Sequence, residues 1–185
     1  MSVSNAAGRS GQPQLRLLTG DPEPSDAGET YRRYAPYVAA VAYRLLGRDE
    51  DVDDVVQEVF VRAIRGFDQL EDRGAIKGWL AAITVRVVAR KLRRRRARRL
   101  FRIEADYDYE RVAGPGADPE QAALLSSLYR ALDDLAVPER TAWLLRHVEG
   151  QTLPEVAENC TCSLATAKRR IDAAETWLRG RVRHG

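Results

Sequence analysis

Cysteine, methionine and aromatic residues are all scarce in this 185-residue chain, with two Cys, one Met and aromatics at 7%. Two cysteines cannot build the disulfide framework of a small secreted domain. Few aromatics leave only modest cores to a chain that is 31% charged, so the remaining charge must face solvent or a partner. No run approaches the ~20 consecutive apolar residues of a membrane-spanning helix, and no apolar stretch follows a basic one near Met1 as a secretory signal would. These absences predict a cytoplasmic protein with no membrane insertion. Alternating apolar and polar runs are missing too, and no internal repeat is visible, so an all-α fold is expected.

Charge is abundant, and it is segregated. The net charge of +3 conceals six acidic residues without a basic one from Asp49 to Glu58, and only basic charges from Arg73 to Arg102. Opposed blocks of this kind imply two different partners, the second a polyanion such as nucleic acid.

Along the chain, residues 1–28 are rich in Gly, Ser, Pro and Asp without apolar periodicity, and read as a disordered N-terminal tail. Helical spacing then begins at Tyr31, Tyr34, Ala35, Val38, Val41, Ala42, Leu45 and Leu46, with Gly47 as the stop. Val52, Val55, Val56, Val59, Phe60, Ala63 and Ile64 form a second stripe, with acidic residues at the end the helix dipole favours. A third helix carries Ile76, Trp79, Leu80, Ile83, Val87, Val88 and Leu92 into the arginine block. Residues 29–100 are thus expected as one helical bundle. Residues 101–119 read as an acidic, breaker-rich and flexible linker. A second helical unit over 120–182 carries Leu124, Leu125, Leu128, Leu132 and Leu135 on one face. Pro138 then starts a helix that Gly150 closes.

Thr152-Leu153-Pro154-Glu155 is a capping-box pattern. A short helix follows, then a break at Asn159-Cys160-Thr161-Cys162, then Ser163 as the cap of a last helix with Leu164, Ala167, Ile171, Ala174 and Leu178 inside. Helix, tight turn, and a second helix that is polar and basic at its start is the arrangement of a helix-turn-helix whose recognition helix enters a major groove. An αα-corner with a solvated basic face has the same pattern.

The ordered set of motifs resembles the extracytoplasmic-function sigma factors of bacterial RNA polymerase, in the sigma-70 family. Asp51-Val-Asp-Asp-Val-Val-Gln-Glu-Val-Phe-Val-Arg-Ala-Ile64, Trp79-Leu-Ala-Ala-Ile-Thr-Val85 and the arginine-rich exit are similar to sigma region 2. Leu135-Ala-Val-Pro-Glu-Arg-Thr-Ala-Trp-Leu-Leu-Arg146, Val148-Glu-Gly-Gln-Thr152 and Glu155-Val-Ala157 are similar to region 4. The resemblance implies two small helical domains, a region 2 bundle and a region 4 helix-turn-helix. It implies that Asp54, Gln57 and Glu58, with Phe60 and Arg62 nearby, dock on the β′ clamp helices of core polymerase. Region 4 would meet the β flap. Lys77, Arg86, Arg90, Arg93 and Arg94 would hold the opened minus-ten element, for which a basic groove is needed. The arginines from Arg93 to Arg99 would neutralise phosphates. Ser163, Thr166, Lys168, Arg169 and Arg170 would meet the minus-thirty-five element, Thr166 and Arg169 on bases and Lys168 and Arg170 on phosphates. Promoter DNA and an anti-sigma factor complete the implied partners.

This chain departs from the family pattern at Arg86, where Asn is common, and near Arg90, where Asp is. Thr161 stands where the turn usually has Gly, and must adopt a conformation Gly reaches more cheaply. The runner-up reading is a helix-turn-helix regulator that does not join polymerase. A nuclease built on Asp53, Asp54 and Glu58 lacks a completing His or carboxylate motif. A zinc site on Cys160 and Cys162 with His147 or His184 lacks recognisable ligand pairs. No enzyme activity, cofactor or metal is expected.

Overall fold

The computed structural model describes residues 26–48, 50–70, 72–101, 109, 112–113 and 116–182. The expected tail lies almost wholly outside the described residues, as does most of the expected linker. The described part is all-α: α1 (Ala27–Leu46), α2 (Val52–Gly66), α3 (Ile76–Leu100), α4 (Pro119–Asp134), α5 (Val137–His147), α6 (Leu153–Asn159) and α7 (Leu164–Val182). No helix among the described residues is long and apolar enough to cross a membrane.

Local chemistry sets the helix ends. Asp26 caps α1 by accepting from the Glu29 N–H, and Gly47 closes it in the left-handed region at φ 74°. Pro at the start of α4, α5 and α6 lacks only an N–H that would be orphaned there anyway. Both halves of the Thr152–Glu155 capping box are formed.

α1, α2 and α3 pack on one another around Val38, Val41, Leu45, Val55, Val59, Ile76, Leu80 and Val88. The second unit closes on Leu132, Leu144, Leu145, Val156, Ala167 and Ala174. Four residues expected on helical stripes are exposed instead: Tyr31 at 48%, Ile64 at 58%, Leu124 at 58% and Leu164 at 51%. Ile64 stands in the last turn of α2 and Leu164 in the first turn of α7. Trp79 is half-buried and lies against Gly66.

The two halves are in contact, chiefly along α3, which meets α5 and α6, and at the end of α1, which meets α5. The segment between them is partly anchored. Tyr109 is buried and its carbonyl accepts from the Ser126 hydroxyl, while the Val112 carbonyl accepts from the Tyr43 hydroxyl at 3.0 Å.

The last carbonyls of α1 show how closely the halves are joined. A helix leaves four carbonyls without an intrahelical partner. Here the Gly47 N–H donates to Tyr43 O, Tyr129 Oη donates to Arg44 O at 2.7 Å, and Arg140 Nη2 donates to Leu46 O at 2.8 Å and Leu45 O at 3.2 Å. Three of these four oxygens are satisfied from the other half of the chain. Burial pushes the Tyr129 phenol up to about 12, so it donates as a neutral hydroxyl over the ordinary pH range.

Candidate nucleic-acid and protein interfaces

The exposed face of α2 follows from helical spacing. Asp54, Gln57, Val61 and Ile64 recur at steps of three or four and stand outside the core. Val61 and Ile64 are 43% and 58% exposed, which makes the face mixed, acidic at one end and apolar at the other. Apolar periodicity puts Ile64 inside and passes over Val61. The signal that could have found them is their helical register with Asp54 and Gln57. Phe60 is corrected in the opposite sense. Expected near the docking residues, it is buried at 4% exposure and meets Tyr31 edge to face, 4.8 Å between ring centroids. It supports the face from below and is not available to a partner.

The acidic face and the basic helix do not stand apart as two blocks. Glu58 pairs with Arg62 one turn on and with Arg90 of α3, and Lys91 reaches Asp51 at 2.8 Å and Asp54 at 3.1 Å. Burial of Asp51 works to raise its pKa, but the Lys91 hydrogen bond and the Arg48 charge outweigh it and hold the carboxyl below its ordinary value. An open groove of about 510 Å³ results, with Asp54, Gln57 and Glu58 on one wall and Arg90, Arg94 and Arg98 on the other.

On α3 the expected nucleic-acid residues divide by angle. At 3.6 residues per turn, Arg86, Arg90, Arg93 and Arg94 fall within about a third of the circumference, whereas Lys77 lies about half a turn away. Lys77 instead sits over the Tyr37 ring, 4.9 Å from its centroid. Arg86, Arg93 and Arg94 are exposed, and none forms an ion pair with a described residue.

The remaining arginines correct the expectation of uniform phosphate neutralisation. Arg95 and Arg99 continue the stripe of Val85, Val88 and Leu92, and so point into the contact between the halves. Arg95 is only 6% exposed, and it and Arg99 lie 3.8 Å and 3.1 Å from the Asp133 carboxylate, which Arg140 also holds. Arg96 donates to the Leu135 carbonyl. Burial of Asp133 is tolerable because cations surround it.

In the second half, Ser163 accepts from the Thr166 N–H at 3.2 Å and caps α7. Lys168 and Arg169 are exposed and Thr166 and Arg170 half-buried, with no ion pair from any of these cations to a described residue. The preceding turn is closed by Thr161 N–H to Glu158 O and Cys162 N–H to Ala157 O, both 2.9 Å. Thr161 takes φ 50°, the left-handed conformation expected of a residue at a glycine position. Burial, and the neighbouring Cys162, push the Cys160 thiol up to about 11, which suits a packed thiol rather than a reactive thiolate. Among the described residues no group of three or more His, Cys, Asp or Glu could hold a metal ion.

The geometry is thus a helical bundle with a mixed acidic and apolar exposed face, a groove beside it with one acidic and one basic wall, and a helix-turn-helix with exposed cations at the start of its last helix. Comparison with known proteins identifies the family. Residues 30–98 match the Sigma-70 region 2 family model. SigE, an ECF RNA polymerase sigma factor of Mycolicibacterium smegmatis, is 34% identical over 155 residues, 82% of this chain but 59% of its own length. EcfG, an ECF RNA polymerase sigma factor of Rhodopseudomonas palustris, is 30% identical over 144 residues, 77% of each chain. The sigma factor RpoE of Bartonella quintana, solved with the anti-sigma factor NepR, shares the fold at a TM-score of 0.61 and 21% identity, over 85% of this chain and 96% of its own. The chain belongs to the ECF RNA polymerase sigma factors, proteins that direct RNA polymerase to promoters.

Proposed function

We propose that this protein binds core RNA polymerase through the exposed face of α2, directs it to specific promoters, and assists DNA melting with α3. The observation that carries this reading is the α2–α3 pair itself: a mixed acidic and apolar face that can dock on a basic helical partner, beside a row of exposed arginines. Residues 29–100 act as region 2 and residues 120–182 as region 4. Asp54, Gln57, Glu58 and Arg62, joined by Val61 and Ile64, meet the β′ clamp helices, and region 4 meets the β flap.

Arg86, Arg90, Arg93 and Arg94 hold the minus-ten strand. For Arg90 this requires giving up Glu58, so docking of a basic partner on Glu58 and strand capture by Arg90 favour one another. Ser163, Thr166, Lys168, Arg169 and Arg170 meet the minus-thirty-five element. The protein works in the cytoplasm, acts through binding energy rather than by catalysing a reaction of its own, and is controlled by an anti-sigma factor, as the solved RpoE–NepR complex supports.

Transcription by purified core polymerase on a fragmented genomic library tests the reading. Discrete start sites that appear only with this protein are expected, and their alignment supplies both promoter elements. DNA binding without core-dependent initiation would overturn the reading in favour of a helix-turn-helix regulator.

A further inference from the structure

The last helix of the helix-turn-helix begins with an apolar tip that none of the promoter contacts above uses. In the first turn of α7, Ala167 is buried and Thr166 half-buried, whereas Leu164 and Ala165 are exposed. Leu164 is 51% exposed. A single exposed leucine is ordinary on a protein surface, so exposure alone says little. Its place says more.

Residues three and four apart share a helix face. Leu164 therefore stands one turn before Lys168, and Ala165 one turn before Arg169, both cations being exposed without an ion pair to a described residue. The apolar tip and the two cations form one continuous face. The polar groups of the tip are turned on one another: Ser163 Oγ lies 2.9 Å from Thr166 Oγ1 and accepts from the Thr166 N–H at 3.2 Å. What the first turn adds to the exposed face is hydrocarbon.

A leucine side chain carries no donor, acceptor or charge. It can make neither a hydrogen bond to a base edge nor an ion pair with a phosphate. In the major groove guanine, cytosine and adenine present donors and acceptors, and thymine adds a C5-methyl group. Leucine gains by excluding water from that methyl. Against a polar base edge it would remove water and return no hydrogen bond. Both effects favour thymine.

We propose that Leu164 is a specificity-determining residue that packs on a thymine methyl group in the minus-thirty-five element. The A·T pair it reads lies where the start of α7 enters the groove, the part of a recognition helix that contacts base edges. This inference deepens the promoter-binding reading above and rests on it for the identity of the element.

The test uses uracil, which pairs as thymine does and lacks only the methyl group. The duplex carries the minus-thirty-five element aligned from the start sites of the transcription assay. If no start sites arise, it carries the sequence that the full chain selects from a random duplex pool. Each thymine on either strand is replaced in turn by uracil. Fluorescence anisotropy measures affinity for the holoenzyme, or for the full chain with a selected sequence.

With wild type, one replacement is expected to weaken binding about fourfold, as for about one buried methylene-sized group. L164A should bind the thymine duplex more weakly and no longer distinguish it from the uracil duplex. L164M keeps a flexible apolar side chain and should retain the distinction, as should R169A despite its lower affinity. The slope of log affinity against log salt should be the same for L164A and wild type, because no phosphate contact is lost.

A wild-type protein that binds every uracil duplex as tightly as the thymine one overturns the proposal, and that arm needs no substitution in the protein. An element without an A·T pair, or an L164A variant that keeps the distinction, overturns it too. Absence of start sites overturns the sigma reading alone, since the selected duplex still decides the role of Leu164. A chain that neither initiates nor selects a sequence overturns both.

Discussion

α3 and α7 both carry dense basic sequence, yet they use it in opposite ways. In α7 the cations Lys168 and Arg169 are exposed at the start of the helix, off the stripe of Ala167, Ile171, Ala174 and Leu178 that packs inward. In α3 the arginine run straddles two faces. Arg93 and Arg94 remain on the outside, while Arg95 and Arg99 continue the buried stripe and end on Asp133. Local charge density therefore says little about what a cation binds. Its angle relative to the preceding apolar stripe says much more.

Substitutions can break or sharpen this contrast, beginning with the largest effect. Leu92, the last aliphatic residue of the α3 stripe, is 5% exposed, and Leu92→Ala should cost about 2–5 kcal/mol in chemical denaturation. A loss near zero would mean that the stripe ends earlier and that Arg95 does not continue it. On α7, Arg169→Ala should weaken binding to the minus-thirty-five element by about 1–3 kcal/mol and leave the denaturation midpoint unchanged. A uniform loss across unrelated sequences would reassign Arg169 to phosphate.

Thr161→Gly should raise stability by about 1 kcal/mol, since the left-handed strain at this position disappears with the Cβ. Thermal unfolding reads that gain, and a decrease would show that the Thr side chain contributes more than its backbone costs. The smallest effect separates the two arginine faces. Arg93→Ala should reduce the slope of log affinity against log salt by about 0.9, whereas Arg96→Ala, whose guanidinium already holds Leu135 O, should change the slope of the free protein by less. Equal slopes would mean that both faces meet DNA alike.

Much of the fold is legible in the residues because helices announce themselves by period and by their ends. The stripes of α1, α2 and α3, the stop at Gly47 and the Thr152–Glu155 box all follow from local rules, whereas the left-handed Thr161 is expected only from the family resemblance, which has Gly at that place in the turn. The site is legible only in part. Asp54, Gln57 and Glu58 can be placed on one face by spacing, but their pairing with Arg90 and Lys91 depends on how α2 lies against α3. Nothing local distinguishes Asp133 from Asp134 beside it. One is mostly covered among three arginines and the other is half exposed with Arg181, a difference set by contacts 34 and 38 residues away in sequence. Tyr129 and Arg140 are likewise silent, because a partner made of backbone oxygens leaves no mark on the sequence of either helix.

The carbonyls at the end of α1 carry a practical lesson for dissecting the molecule. Cutting the chain between α3 and α4 would yield two fragments of sensible length, each with its own apolar centre. The first fragment would be left with the oxygens of Arg44, Leu45 and Leu46 facing water, and its α1 would end in a loose last turn held by Gly47 alone. Affinities measured on that fragment would describe a helix end that the whole protein does not present, so the halves are best separated by substitution within the intact chain rather than by truncation.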